Sequence, residues 1–156
     1  MPEPNGPAAA SRTMAVQTAA YGIAAIFLLV GVLGFVPGVT TNVRSMSLAS
    51  HHSEAMLFGL FQVSFLHNIV HLLFGFAGLV SARTMTGAHH YLRLGGAAYL
   101  ALFVYGLLVS QSSNANFIPV NPADDILHLL LGSVMVLLGL TLNRRILVRP
   151  SRDRTR

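Results

Sequence analysis

The hydrophobic residues of this chain fall into four long runs that contain no Asp, Glu, Lys or Arg. These runs are residues 15–36, 55–82, 94–110 and 126–142. A helix that crosses the hydrocarbon layer of a membrane needs roughly 20 apolar residues, with a range of about 17–25. The first two runs are long enough, and the last two reach the short limit because Arg93 and Arg144 can extend their side chains toward the interface. Four transmembrane helices are therefore predicted.

Helices rather than strands are predicted because an open sheet would leave backbone groups unpaired in lipid, and because the runs lack alternating polarity. The predicted fold is all-α, an integral membrane four-helix bundle that occupies residues 15–142. Residues 1–14 are predicted to be a flexible tail, since Pro2, Pro4 and Pro7 disfavour a helix there. Residues 143–156 form a second, basic tail.

The second and fourth runs are similar when they are aligned on a histidine. Residues 69–75 read IVHLLFG and residues 126–132 read ILHLLLG. Two interpretations stay open: two repeated helical hairpins related by an axis along the membrane normal, or a chance similarity of apolar segments. In either case the glycine lies four residues after the histidine, on the same helix face, where it allows another helix to approach closely.

Composition and charge agree with a membrane protein and exclude several other classes. Only 10% of the residues are charged and 53% are hydrophobic, whereas a soluble domain carries about 25% charged residues. The absence of cysteine excludes disulfides, thiolate zinc sites and iron–sulfur clusters. The net charge of +5 does not indicate a nucleic-acid-binding face, because six of the ten arginines lie in the C-terminal tail.

The arginines also predict the orientation in the membrane. Nine of them flank the predicted spans on the side of the two termini, and only Arg44 lies on the other side. Because positively charged loops stay in the cytoplasm, both termini of this multi-pass protein are predicted to be cytoplasmic, and the membrane is predicted to be the plasma membrane. His89 and His90 are then expected in a solvated cytoplasmic turn.

Three histidines within the predicted spans are the candidate site, because ionisable residues are costly inside a membrane. His67 and His71 are four residues apart and share a helix face, and His128 lies at a similar depth if spans two and four are adjacent. Asp124 precedes His128 by four residues and could orient its ring as a partner carboxylate. Asp124 also lies near the start of span four, where an acidic residue stabilises the end of a helix.

Three hypotheses for the histidines stay open. They could fasten the bundle through hydrogen bonds to neighbouring helices. They could bind a divalent metal, with Asp124 or water as the fourth ligand, or a haem held by His128 and either His67 or His71. They could instead carry protons, since the charge of imidazole changes near physiological pH. Because the chain lacks phosphate-binding loops, HExxH motifs and paired intramembrane carboxylates, the pattern disfavours an enzyme.

The leading functional interpretation is a non-enzymatic accessory or interaction component of a membrane assembly. The alternatives are a small metal- or haem-binding membrane protein and a proton-linked carrier. The expected partners are the lipid bilayer and either another membrane protein or a second copy of this chain.

Five segments together resemble a known family. They are GFVPGVTTN at 34–42, LFGLFQVS at 57–64, LHNIVHLLFG at 66–75, NFIPVN at 116–121 and DDILHL at 124–129. This pattern, which covers nearly all of residues 15–142, resembles the bacterial four-span family catalogued as domain of unknown function 4383. The resemblance implies four helices and a membrane location, and it carries no activity that can be transferred.

Overall fold

Four α-helices form the body of the molecule, with a small sheet at one end. The computed structural model describes residues 7–113 and 115–142, and for residues 7–14 only the backbone. The helices are α1 (Pro7–Leu33), α2 (Phe65–Ser81), α3 (Met85–Leu108) and α4 (Pro122–Thr141). The predicted all-α fold with four helices is confirmed, while the basic segment 143–156 lies outside the described residues.

Helix α1 begins earlier than the proline pattern predicts. It starts at Pro7, because proline is tolerated in the first turn of a helix, where its missing N–H would have no partner. The expectation that the prolines disfavour a helix is therefore wrong for residues 7–14, and residues 1–6 lie outside the described part of the chain. At the other end, the Thr40 hydroxyl donates a hydrogen bond of 2.9 Å to the carbonyl of Leu33, the last residue of α1.

The second apolar run divides into a β-hairpin and a helix, so the prediction of one span over 55–82 is wrong in its first part. Strands β1 (Thr40–Thr41), β2 (Met56–Leu57) and β3 (Phe61–Gln62) form an antiparallel sheet in that order. The turn between β2 and β3 has positive φ angles at Phe58 and Gly59, which glycine adopts without strain. Helix α2 starts only after Ser64, whose side chain accepts a hydrogen bond from the His67 N–H.

Helix α3 extends well before the predicted start at residue 94. Thr84 caps it by accepting a hydrogen bond from the Gly87 N–H, so α2 and α3 are joined by a short turn. Arg93 lies inside α3, and its Nε donates a hydrogen bond of 2.8 Å to the Gly139 carbonyl of α4. A charged residue is accommodated within the helix because its guanidinium has this partner.

Helix α4 starts four residues before the predicted boundary, with Pro122 in its first turn. Asn121 and Asp124 form a reciprocal capping box, in which each side chain accepts a backbone N–H of the other residue. By length and hydropathy, the segments Ala15–Leu33, Met85–Leu108 and Pro122–Thr141 could cross a membrane. Helix α2 is apolar but has 17 residues, which gives it a length of about 26 Å, close to the lower limit for a span.

The helices pack as two hairpins, α1 with α2 and α3 with α4. In the first hairpin, a Cβ atom added at Gly75 would lie 2.9 Å from the Ala24 carbonyl oxygen. In the second, a Cβ atom added at Gly132 would lie 2.9 Å from the Gly96 carbonyl oxygen. Each hairpin thus uses the glycine after its histidine for close helix contact, which supports the interpretation of the hairpins as repeats.

The outer faces of the helices are covered with exposed apolar side chains. Leu29 of α1 is 58% exposed, Phe76 of α2 and Leu107 of α3 are each 64% exposed, and Leu137 of α4 is 58% exposed. The interior instead holds Phe27, Leu92 and Met135, together with Tyr99. Large apolar faces of this kind indicate contact with lipid, so the chain is a membrane protein.

Candidate functional site

The two long connections meet over the same end of the bundle and form one layer. We call residues 34–64, 109–113 and 115–121 the loop layer. The backbone N–H groups of Ser50 and His51 donate to the carbonyls of Phe117 and Asn116, at 2.8 and 3.0 Å. The Asn121 side chain donates to the Leu60 carbonyl at 2.9 Å. These hydrogen bonds join the connection within the first hairpin to the connection within the second.

A cavity of about 260 Å³ lies between the loop layer and helices α2, α3 and α4. We call it the histidine cavity. Its lining residues are Ser64, Leu66, His67, Val70, His71, Phe74, Ala98, Tyr99, Leu102, Phe117, Ile118, Pro119 and His128. The three histidines predicted from the sequence therefore share one cavity, and no Asp, Glu, Lys or Arg is among the described residues that line it.

His71 has a hydrogen-bond partner at each ring nitrogen. Its Nδ1 lies 2.9 Å from the His67 carbonyl oxygen, and its Nε2 lies 3.1 Å from the Tyr99 hydroxyl. A carbonyl oxygen can only accept, so Nδ1 carries the proton. In the neutral ring, Nε2 therefore accepts a hydrogen bond from Tyr99. The ring of Phe27 packs beside His71, with centroids 5.5 Å apart.

His67 contacts His71, and His128 contacts Tyr99. The His67 ring stacks on the His71 ring with centroids 4.2 Å apart and planes 17° apart. The His128 ring meets the Tyr99 ring edge-to-face, with centroids 5.2 Å apart. His128 is 3% exposed, and its Nδ1 is buried with no hydrogen-bond partner among the described residues. An unpaired buried nitrogen is costly, and the His128 ring lines the cavity.

Spans two and four, whose adjacency was the condition for grouping the histidines, are not each other's main packing partners. Helix α2 packs mainly against α1, and α4 packs mainly against α3. The histidines of α2 and α4 are related through Tyr99 of α3, which contacts His71 and His128. Tyr99 was not among the site residues predicted from the sequence. The signal that could have identified it is a hydroxyl-bearing ring within an apolar span, because a buried tyrosine hydroxyl usually has a polar partner.

Asp124 lies apart from the histidine cavity. Its Oδ2 accepts hydrogen bonds from the backbone N–H groups of Asn121, at 2.9 Å, and Gln62, at 3.1 Å. The carboxylate thus caps α4 and joins it to strand β3 of the loop layer. No hydrogen bond connects Asp124 with His128 among the described contacts, so the position of the carboxylate corresponds to the capping alternative.

The geometry gives little support to a three-histidine metal site. Among residues 7–113 and 115–142, no three His, Cys, Asp or Glu side chains are grouped so that they could hold a metal ion. Metal binding at His71 would require its Nε2 to give up the Tyr99 hydroxyl. The rings of His67 and His71 are stacked on each other. These two residues therefore cannot bind opposite faces of one haem iron.

The prediction that His89 lies in a solvated turn is wrong. His89 is buried in α3 at the opposite end of the bundle from the loop layer, and its Nδ1 donates to the Gly139 carbonyl at 3.1 Å. The cause is the early start of α3, which carries His89 into the contact with α4. His90, one position further along, is exposed, but it lies within α3 and not in a turn.

Comparison with known proteins gives a family and no further relatives. The family model described as "Domain of unknown function (DUF4383)" matches residues 17–141. No curated protein matches the chain, and no solved structure matches it.

Proposed function

Because this chain belongs to the DUF4383 family, whose description assigns no function, we propose its role from its geometry: it is a non-enzymatic membrane protein that binds a small lipid-soluble molecule in the histidine cavity. The observation that carries this proposal is the cavity itself. It has a volume of about 260 Å³ and is lined by histidines from two hairpins. One of them, His128, has an Nδ1 without a partner among the described residues.

The surroundings of the cavity support access from lipid. Four of its lining residues, Leu66, Val70, Ala98 and Phe117, are exposed on the outer surface of the molecule. All four are apolar and belong to α2, α3 and the loop layer, so the cavity opens sideways through a hydrophobic mouth. A molecule dissolved in the bilayer reaches such a mouth without crossing water.

The proposed location is the plasma membrane, with both termini in the cytoplasm. Arg83 and Arg93 lie at the end of the bundle away from the loop layer, whereas Arg44, Glu54 and Asp124 lie at the end that carries it. The positive-inside rule then places the loop layer on the outer side. The histidine cavity would accordingly lie in the outer half of the bilayer.

A second candidate role is that of an accessory component in a larger membrane assembly. It is favoured by three apolar side chains of the loop layer, Leu48, Phe58 and Leu60, which are 74%, 62% and 52% exposed. Chemical crosslinking in native membranes tests this role. If the protein has this accessory role, we expect a specific crosslinked product that is lost when Leu48, Phe58 and Leu60 are changed to serine.

The binding function is tested by extracting and weighing the molecules that co-purify with the protein. The variant Ala98→Phe fills the mouth of the cavity, and Ala101→Phe is the matched control, because Ala101 is exposed on the same helix and does not line the cavity. We expect one small molecule to be retained by the wild type and by Ala101→Phe and to be lost from Ala98→Phe. Equal retention by all three, or none in the wild type, would contradict the proposal.

The purified wild type also serves to test the metal and haem hypothesis. An absorption spectrum and elemental analysis of the wild type are compared with those of a variant in which His67, His71 and His128 are alanine. A haem band or a stoichiometric metal that disappears in the variant would show that these histidines hold a metal centre and not the proposed small molecule.

A further inference from the structure

We infer that the ligand of the histidine cavity is a neutral, flat ring that carries oxygen, of the quinone or hydroquinone class, attached to an apolar tail. This inference rests on the proposed binding function and adds the chemical class of the ligand. It follows from the volume of the cavity, the charge of its lining, the hydrogen-bonding capacity of His128 and the position of the mouth.

The volume suits a headgroup rather than a whole lipid. An engineered apolar cavity of about 150 Å³ takes up one benzene ring. A cavity of about 260 Å³ therefore accommodates a substituted single ring or two fused rings. A phospholipid or a triacylglycerol is far larger, so only a compact headgroup enters and any long tail stays outside.

The lining selects against a charged ligand. None of the described lining residues is Asp, Glu, Lys or Arg, so a carboxylate, phosphate or ammonium group would be buried without an opposite charge, which is strongly unfavourable. Aromatic residues instead line much of the wall, including Phe74, Tyr99 and Phe117. Such walls favour a flat ring that can stack or meet them edge-to-face.

The free hydrogen-bonding position fits an oxygen on that ring. The His128 Nδ1 is buried and unpartnered within the described part of the chain, and a neutral imidazole can hold its proton on either nitrogen. The His128 ring, which lines the cavity, can therefore donate to a quinone carbonyl or accept from a hydroquinone hydroxyl. His71 is less available, because both of its nitrogens are already paired.

The mouth provides a route for the tail. Leu66 and Val70 of α2 are 42% and 50% exposed, and Ala98 of α3 is exposed beside them. A tail that leaves the cavity between these residues remains against the apolar surface of α2 and α3. Membrane quinones have this form, with a polar ring at one end of a long hydrocarbon chain.

The test compares two probes of nearly equal shape, 2-methyl-1,4-naphthoquinone and 2-methylnaphthalene, which lacks the oxygens. Dissociation constants are measured by equilibrium dialysis with the purified full-length protein in lipid nanodiscs, against empty nanodiscs. The variant is His128→Phe, which keeps a ring without nitrogen, and the control is His90→Phe, whose histidine is exposed on α3 away from the cavity.

We expect the wild type and His90→Phe to bind the quinone at least threefold more tightly than the hydrocarbon, as one recovered hydrogen bond implies, and His128→Phe to lose this preference. The wild-type comparison holds even if His128→Phe fails to fold. Equal binding of both probes by the wild type would overturn the quinone inference and leave the binding function standing. Binding of neither probe above empty nanodiscs would overturn the quinone inference, and the co-purification experiment then decides separately whether the cavity binds another molecule.

Discussion

At the scale of single residues, the hydrogen bond between Tyr99 and His71 joins the two hairpins inside the membrane. The hydroxyl of Tyr99 lies 3.1 Å from the His71 Nε2, and Tyr99 is 6% exposed. A buried acceptor that loses its donor retains the full cost of its removal from water. The pair is therefore expected to stabilise the fold in addition to forming the wall of the histidine cavity.

The substitution Tyr99→Phe tests this contribution. We expect the free energy of unfolding to fall by about 1–3 kcal/mol, because His71 Nε2 is left without its donor. The measurement is a denaturant titration in detergent micelles. Tyr21→Phe is the control, since Tyr21 is 41% exposed on α1, and it should change stability little. Equal effects of the two substitutions would show that the hydroxyl of Tyr99 has no special role.

Asp124 provides a second prediction at this scale. Its carboxylate accepts the N–H groups of Asn121 and Gln62, so Asp124→Ala removes a helix cap together with a link to the loop layer. A loss of about 1–2 kcal/mol in the free energy of unfolding is expected. Glu54→Ala, at an exposed position of the loop layer, should lie within about 0.5 kcal/mol of the wild type. If Asp124→Ala were equally mild, the capping role would be refuted.

At the scale of helices and strands, close packing within each hairpin depends on glycine. A Cβ atom at Gly132 would lie 2.9 Å from the Gly96 carbonyl oxygen and 3.0 Å from the Leu100 Cγ. A Cβ atom at Gly22 of α1 would meet no atom within 4 Å. The two positions are both inside helices, and they differ in whether another helix is in contact.

Gly132→Ala should lower the free energy of unfolding by about 1–3 kcal/mol, because α3 and α4 must move apart. Gly22→Ala should leave it unchanged or raise it by up to about 1 kcal/mol, because alanine favours the helix. Both variants are compared with the wild type in the same denaturant titration. A Gly132→Ala protein as stable as the wild type would mean that α3 and α4 are not packed as closely as described.

The sequence was sufficient to predict the four helices, but not the loop layer. Charge-free runs identify spans because lipid excludes charge, and the spacing of His67 and His71 places them on one face. Hydropathy alone cannot distinguish a short β-hairpin from a helix, so residues 55–63 were assigned to span two. Gly59 was the available turn signal. Arg93 was placed just before span three because its charge interrupts the apolar run. Its partner, the Gly139 carbonyl, lies 46 residues away, so local sequence could not reveal it.

At the scale of the whole molecule, the asymmetry of charge predicts which end faces outward. The chain contains no cysteine, so single cysteines can report the side of the membrane without background. Leu48→Cys places a thiol on the loop layer, at a residue that is 74% exposed. Thr86→Cys places one at the exposed start of α3, at the opposite end.

In intact cells, a membrane-impermeant maleimide should label Leu48→Cys and should label Thr86→Cys only after the cells are opened. This outcome follows from the positive-inside rule applied to the nine arginines. The reverse pattern would place the loop layer and the histidine cavity on the cytoplasmic side.

The bundle is proposed to hold one small molecule in the histidine cavity. Native mass spectrometry of the protein released from lipid nanodiscs weighs that complex directly. We predict a single additional mass per chain in the wild type and in Ala101→Phe, and the bare chain in Ala98→Phe. A wild type with no discrete additional mass, or an Ala98→Phe protein that keeps it, would contradict the claim.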